Sequence, residues 1–424
     1  MKQKDFLVEN LGNNNYTSPL QLSDEFYTTA HRRVLYNNTV SNGANIKDQK
    51  MFSFEGAAPH QKIHFDSSNI NVGIVTCGGL CPGLNDVIRS VTYNCLDGYG
   101  AKTVYGFRFG FEGLTHNFNQ DAIRLSPSNI DTIHEQGGTI LGSSRGDQSK
   151  EDIVDTLVKF NIAILFIIGG DGTQRGSMEI AEIIKRRKLD ISVIGIPKTI
   201  DNDVSFIYKT FGFDTAVGEA RKAIDAAHTE AKGARNGSIG LAKLMGRHSG
   251  FIAAHATLAS GNVNICLIPE APLDLNALFE KIKSRFVKKD HLVIVVAEGV
   301  GQELLYADKE KTYDPSGNVK LQDIGVFLKK KLDEYLKNEK IEHTIKYIDP
   351  SYMIRSTPSN AIDSTFCLRL GNYAVHAGMA GRTNALVGYW NQNFTLVPIK
   401  LALSCRKNVE VNSSLWRSIV EITE

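Results

Sequence analysis

The 424-residue sequence predicts an α/β protein with mainly parallel sheets, and three observations carry that expectation. Charge-free runs of strand length recur, such as Asn71–Thr76 and Ala163–Ile168, and the second, wholly apolar, reads as a strand buried on both faces. Between them lie segments with apolar residues at helical spacing; Leu84, Val87, Ile88, Val91, Cys95 and Leu96 share one face. Nearly every polar or glycine-rich cluster follows a strand. Right-handed crossovers would gather such loops at one sheet edge, where ligands bind.

Taken in order, residues 1 to about 70 are polar and rich in asparagine, and read as an extension: an arm packing on a neighbouring subunit, or a loosely ordered tail. The strand at Asn71 leads into Gly78-Gly79-Leu80-Cys81-Pro82-Gly83 and then the helix from Leu84. A strand near 103–108, a polar turn over 137–146 and a helix over 151–160 follow. The run Ala163–Ile168 leads into Gly169-Gly170-Asp171-Gly172-Thr173-Gln174-Arg175-Gly176, with a helix expected from Ser177 to Arg187. A strand over 191–196 then enters the loop Pro197-Lys198-Thr199-Ile200-Asp201-Asn202-Asp203.

The second series has a long helix near 213–232, a strand over 238–244, the turn Met245-Gly246-Arg247 and a helix over 248–260. Strands near 264–268 and 291–297 bracket an amphipathic helix over 275–286. Residues 303–318 are charged and turn-rich, and read as an exposed loop or flap. A lysine-rich helix over 323–337, a strand over 344–348, a turn over 352–358 and a final helix near 361–377 complete the reading.

Composition excludes several classes. A net charge of +2, with 22% charged residues, gives no reason to expect nucleic acid or a membrane surface as partner. No apolar run approaches membrane-spanning length, the N-terminus lacks the apolar core of a signal peptide and the C-terminus carries no peroxisomal tripeptide, so a cytoplasmic protein is expected. The six cysteines are thinly spread; Cys77 and Cys81 lie four apart without a second pair to complete a zinc site, which favours reduced thiols.

Two glycine turns between strand and helix place amide N–H groups and helix N-termini where a phosphate binds. With Arg145, Arg247 and Arg355, and the acids Asp171, Asp201 and Asp203, they supply what phosphoryl transfer needs: cations and N–H groups on phosphates, a carboxylate for Mg²⁺, and a base for the attacking hydroxyl. Asp201 and Asp203 are close enough for one pKa to rise, or for a shared metal; the bland alternative is an Asx-rich turn capping a helix.

Gly78-Gly79-x-x-Pro82-Gly83, Gly169-Gly170-Asp171-Gly172-Thr173, Thr199-Ile200-Asp201-Asn202-Asp203 and Met245-Gly246-Arg247 together resemble the 6-phosphofructokinases, over roughly residues 71 to 405. The chain is most similar to the longer protist and plant enzymes, which look pyrophosphate-dependent yet generally use ATP. The resemblance implies two Rossmann-like α/β/α domains: a discontinuous donor domain over 71–211 and 354–404, and a fructose 6-phosphate domain over 212–353. Residues 1–70 would be an extension and 405–424 a C-terminal tail. It implies phosphorylation of fructose 6-phosphate at its 1-hydroxyl, with Asp201 as base and Thr199 beside it, Mg²⁺ on Asp171, and Gly79, Arg145 and Arg247 stabilising the phosphoryl group in flight. ATP would contact Gly79, Arg145, Gly170, Asp171, Gly172, Thr173, Gly176 and Lys198. The sugar phosphate would contact Thr199, Asp201, Met245, Gly246, Arg247, Glu298, Lys346, Tyr352 and Arg355. Bacterial-type enzymes have histidine and arginine where this chain has Tyr352 and Lys346, and a cross-subunit arginine where it has Ser238, so effector identity and cooperativity stay open. A homo-oligomer is implied, tetramer before dimer.

Two positions disagree on the donor. Gly172 leaves space for an α-phosphate that the aspartate of pyrophosphate users would crowd, whereas Lys198 is the residue typical of pyrophosphate users. A lysine can swing aside and an aspartate on a tight turn cannot, so ATP is expected. Two rivals remain: another small-molecule kinase sharing the Gly-Gly-Asp-Gly-Thr turn, such as an NAD or diacylglycerol kinase, and a catalytically silent regulatory subunit. The first lacks the Thr-Ile-Asp-Asn-Asp and Met-Gly-Arg loops; the second usually loses a catalytic acid, and all three are present here.

Overall fold

The apolar run around Ile164 forms the strand Ile162–Gly169, whose side chains are buried on both faces because parallel neighbours flank it and helices cover it. The computed structural model describes residues 2–28, 32–39, 51–118, 122–234, 237–307, 310–313, 317 and 319–423. The chain divides into two compact units. One comprises Met1–Thr199, Val204–Gly212 and Ser356–Arg406; the other comprises Ile200–Asp203, Phe213–Arg355 and Lys407–Glu424.

Among the described residues, the first unit is built on a nine-stranded sheet. Its parallel centre runs in the order Ala385–Trp390, Ser192–Pro197, Ile162–Gly169, Asn71–Thr76, Thr103–Phe107. The chain starts at Asn71–Thr76, goes to one side for Thr103–Phe107, then returns to the other side for Ile162–Gly169. That reversal is a topological switch point, and the loops leaving its two strands are the two glycine motifs.

Antiparallel strands complete this sheet: Ile123–Leu125 at one edge, and Asn393–Pro398, Ser53–Gly56 and Arg33–Leu35 at the other. The hairpin of Ala385–Trp390 with Asn393–Pro398 lies beyond the last element expected from the sequence, the helix near residue 377. The reason it escapes is the turn. Asn391 and Gln392 both take positive φ, 43° and 62°, as a two-residue hairpin turn requires, without the Asn-Gly or Asp-Gly pair that announces one.

The N-terminal extension, expected as an arm or a loose tail, is woven into this unit over its described residues. Glu9–Asn10 pairs antiparallel with Arg382–Thr383, and Phe6, Tyr36, Phe52 and Phe54 join Phe206 and Trp390 in one aromatic cluster. Phe6 lies 5.0 Å, centroid to centroid, from Phe54, and Tyr36 stacks on Trp390 at 5.3 Å. Scattered aromatics in a polar segment give no period to read, yet they bury it. Phe54 is fully buried, so Phe54→Ala should destabilise this unit by about 3–5 kcal/mol, measurable as a lowered midpoint in its urea transition. An unshifted midpoint would mean the extension is not part of the folded unit.

Among the described residues, the second unit has a four-stranded parallel sheet in the order Ile265–Leu267, His291–Ala297, Ser238–Leu244, Thr344–Ile348. The long helix Phe213–Gly233 packs across it through Ala216, Ala220, Ile224, Ala227 and Ala231. Small alanines let it approach closely; a Cβ on Gly240 would lie 2.7 Å from the Ala227 carbonyl oxygen. The chain again begins centrally, at Ser238–Leu244, with Thr344–Ile348 on one side and His291–Ala297 on the other, so the loops leaving these three strands share one edge.

Three local expectations change. The helix expected from Ser177 begins at Asp171, the one expected from His248 begins at Phe251, and the turn over 352–358 opens as the helix Ser351–Ser356. In the last case Asp349 Oδ1 accepts from the Ser351 N–H at 3.1 Å and from its hydroxyl at 2.5 Å, fastening the start of the helix with Pro350 just ahead of it. Of the expected flap, Gln302–Leu305 is helical and Tyr313 bridges Val319; residues 308–309, 314–316 and 318 lie outside the described set. No described helix is long and apolar enough to cross a membrane.

Candidate active site

The residues expected to hold the phosphoryl donor belong to the first unit. Gly170 caps the helix Asp171–Arg186, and the Gln174 N–H makes the first helical bond to the Gly170 carbonyl at 2.9 Å. The N–H groups of Asp171, Gly172 and Thr173 therefore have no acceptor within the helix and present its positive end, the arrangement that binds anions. What reads in sequence as a glycine turn is the first turn of this helix. Its glycines do different work. A Cβ on Gly169 would sit 2.4 Å from the Thr173 side chain, and one on Gly176 would sit 2.8 Å from the Phe111 ring; both are packing requirements. A Cβ on Gly172 would meet nothing within 4 Å, and its φ is not left-handed, so the fold itself makes no demand for glycine there.

The first glycine loop leaves the neighbouring strand. Gly78 has φ +83°; its N–H donates to the Ser144 carbonyl at 3.2 Å, and the Ser143 hydroxyl donates to its carbonyl at 2.5 Å. These bonds fix the segment carrying the exposed Arg145 beside Gly78 and Gly79. Lys198 is anchored by its N–H to the Gly169 carbonyl at 3.0 Å, and its Nζ lies 3.3 Å from where a Gly78 Cβ would be. Thr199 closes this set, its carbonyl accepting from the Thr210 hydroxyl at 2.7 Å. Gly79 thus follows Asn71–Thr76, Gly170, Asp171, Gly172, Thr173 and Gly176 follow Ile162–Gly169, Lys198 follows Ser192–Pro197, and the segment carrying Arg145 is tied to Gly78.

Most of the residues expected to hold the sugar phosphate belong to the second unit. Met245, Gly246 and Arg247 leave Ser238–Leu244, Glu298 leaves His291–Ala297, and Tyr352 and Arg355 ride on the helix after Thr344–Ile348. The Glu298 N–H donates to the Leu244 carbonyl at 2.8 Å and the Gly299 N–H to the Gly246 carbonyl at 3.1 Å, so the two strand exits run side by side. Arg247 Nη1 donates to the Val319 carbonyl at 2.7 Å, and Arg355 lies over the Tyr352 ring at 5.7 Å. Lys243 ties the Ser351–Ser356 helix to the sheet through Asp349 at 2.7 Å, and also pairs with Asp323 at 3.1 Å.

Two residues stand apart from this cluster. Ser238 is at the opposite end of its strand from Leu244, six steps away and so roughly 20 Å. Lys346 is aligned with Gly240, roughly 13 Å short of the strand exit, with its Nζ 4.0 Å from Glu230.

Asp201 is the electrostatic focus. Burial, then the neighbouring Asp203 and Glu298 carboxylates, push its carboxyl well above the usual range, while Arg355 and Arg247 pull it down. Glu298 is itself raised by burial, against Arg247 and Arg355. A base must be ionised, so if Asp201 serves as one, activity is expected to rise with pH as it loses its proton. Glu298→Gln removes one like charge, which lowers the Asp201 pKa and should move the acid limb of kcat/KM to lower pH. A limb that stays put or moves upward would remove Asp201 from the role of base.

Sequence reasoning misses three contributors. Arg406 Nη2 pairs with Asp171 Oδ2 at 2.7 Å, Lys407 Nζ donates to Asn202 Oδ1 at 3.1 Å, and the buried Gln174 amide donates to the Gly169 carbonyl at 3.0 Å. The first two come from what reads as a featureless tail, and nothing local in the sequence marks them. All six cysteines are free thiols, and burial pushes Cys77 up to about 12.

A family model described as phosphofructokinase matches residues 71–378. The chain is 50% identical over 372 residues to a Trypanosoma brucei brucei protein named ATP-dependent 6-phosphofructokinase, covering 87% of this chain and 76% of that one. It is 46% identical over 436 residues to a protein of the same name from Borreliella burgdorferi, covering 99% and 96%. Among solved structures, a pyrophosphate-dependent phosphofructokinase from Marinobacter aquaeolei superposes with a TM-score of 0.70 at 20% identity, covering 83% of this chain and 91% of that one. At that identity the likeness speaks for the fold alone.

Proposed function

Because the chain belongs to the phosphofructokinase family, we propose that it transfers the γ-phosphoryl group of ATP to the 1-hydroxyl of fructose 6-phosphate, giving fructose 1,6-bisphosphate and ADP. The observation that carries the assignment is Asp201, an enclosed carboxylate raised by burial, Asp203 and Glu298 and offset by Arg247 and Arg355. Such an environment brings a carboxylate's pKa toward the working pH of a general base. In the transfer, Asp201 takes the proton of the 1-hydroxyl, with Thr199 beside it. The new bond forms from that oxygen to phosphorus as the bond to the ADP oxygen breaks. Charge on the phosphoryl oxygens is met by Arg145, Arg247 and the Gly79 N–H. Met245, Gly246 and Glu298 hold the sugar, and Tyr352 and Arg355 hold its 6-phosphate.

Mg²⁺ fits this chain in one way. Among the described residues no group of three or more His, Cys, Asp or Glu side chains gathers to hold a metal. Asp171 is a single, part-exposed carboxylate at a helix N-terminus. Mg²⁺ is commonly held by one or two carboxylates plus substrate phosphates, so Asp171 suits an ion delivered with the nucleotide. When bound, the ion neutralises charge on the donor phosphates.

ATP is favoured over pyrophosphate by the open space at Gly172, which a nucleotide's α-phosphate can occupy. Lys198 is the observation on the other side. Lys346, set well back from the other sugar-phosphate residues, would serve the site of another copy, in keeping with a homo-oligomer, tetramer before dimer. A cytoplasmic location goes with the reaction. The deciding measurement is a coupled assay of the purified chain with fructose 6-phosphate, comparing Mg·ATP with Mg·pyrophosphate. Turnover with ATP at least tenfold faster is expected. Faster turnover with pyrophosphate would reverse the donor, and none with either would make the chain a silent subunit.

A further inference from the structure

We propose that Lys407 is a positioning residue for the catalytic loop, its ammonium holding the Asn202 side chain so that Asp201 keeps its place against the sugar hydroxyl; the proposal rests on the function stated above. Lys407 follows the first unit's last residue and packs within the second. Its Nζ donates to Asn202 Oδ1 at 3.1 Å and lies 5.2 Å from the centre of the Phe251 ring, while its N–H donates to the Asp203 carbonyl at 3.0 Å. One residue thus grips the loop by both side chain and backbone, on the two positions directly after the base.

The loop needs such a grip. Asn202 is buried and left-handed, with φ +54°, a conformation asparagine tolerates but does not enforce. Asp201 and Asp203, on either side of it, repel each other. On the Asp201 side the Ser249 hydroxyl donates to the Asp201 carbonyl at 3.3 Å. A lysine ammonium has three donors and no acceptor, so the Asn202 amide must turn its oxygen toward Lys407.

A half-buried lysine here needs a reason, since leucine or methionine would fill the same space without the cost of withdrawing a charge from water. Burial drives its pKa down to about 7, against the pull of the Asp203 carboxylate. The Phe251 ring and the Asn202 oxygen replace part of the lost hydration. His255, from the same helix as Phe251, is lowered by burial and, in smaller part, by the Lys407 charge.

The test compares wild type, Lys407→Met, Lys407→Arg, Asn202→Ala and the double variant Lys407→Met/Asn202→Ala, with fructose 6-phosphate and Mg·ATP. Lys407→Met is expected to lower kcat by on the order of 10²-fold, the scale of a misplaced catalytic group, with the KM for fructose 6-phosphate changed less than about threefold. Lys407→Arg, which keeps a donor, should recover most of kcat. The double variant should be no slower than Lys407→Met alone, because both changes break one contact. Should Lys407→Met fold poorly, Asn202→Ala carries the same expected kcat loss. A Lys407→Met enzyme with a lowered melting temperature but kcat within twofold of wild type would overturn the proposal, as would losses in the two single variants that simply multiply. An inactive wild type would instead sink the assigned function.

Discussion

Asp201→Ser should lower kcat by on the order of 10²-fold or more, the usual contribution of a general base, while the KM for fructose 6-phosphate stays close to wild type. The separation follows from where the charge is used. In the proposed function the sugar phosphate is held by Met245, Glu298, Tyr352 and Arg355, whereas Asp201 acts on the one proton that leaves during transfer, so its loss should be felt in the transition state. Stability should move the other way. A carboxyl whose folded pKa lies above its unfolded value opposes folding once ionised, and the cost grows as pH rises through that interval. Burial, Asp203 and Glu298 produce that elevation here. Removing the carboxylate should therefore leave the melting temperature at pH 7.5 unchanged or raised. Loss of kcat without loss of stability identifies a residue kept for chemistry. Turnover within about fivefold of wild type would end the assignment of Asp201 as base.

The strands that build both sheets are legible because each is a short apolar run closed by glycine, proline or a charge. Asn71–Thr76, Ser238–Leu244, His291–Ala297 and Thr344–Ile348 form over the expected residues. The site motifs are legible for a related reason: they are contiguous and sit at strand exits, so the chain order alone places them on a ligand-binding edge. What stays hidden is what depends on distant chain or on side-chain fit. The hairpin turn at Asn391 and Gln392 uses left-handed residues without glycine. The extension is held by Phe6, Phe52 and Phe54, which meet Trp390 and Phe206 only in the folded unit. Arg406 reaches an acid 235 positions earlier and Lys407 an asparagine 205 positions earlier. The helix at Asp171 misleads for the opposite reason, since glycines that usually break a helix are here the residues that let one begin against a strand.

Gly172→Asp should abolish useful turnover with ATP while leaving the protein as stable as before, or slightly more so. Position 172 is the second residue of the helix Asp171–Arg186, with ordinary helical backbone and nothing within 4 Å of an added Cβ. Aspartate therefore fits the folded chain without strain. It also replaces glycine, a poor helix former, and places an anion at the helix's positive end, worth about 0.3–1 kcal/mol. The same carboxylate would face the α-phosphate. Two unit charges about 4 Å apart repel by about 4 kcal/mol at an effective dielectric of 20, or roughly 10³-fold in affinity, before any steric overlap is counted. Alanine separates the two contributions: it adds the Cβ without the charge, so Gly172→Ala should keep substantially more ATP activity than Gly172→Asp. The measurements are kcat/KM for ATP and the melting temperature of each variant. A Gly172→Asp enzyme with kcat/KM for ATP within tenfold of wild type would show that the open space beside this helix is not where the nucleotide lies, and the choice of donor would pass to Lys198.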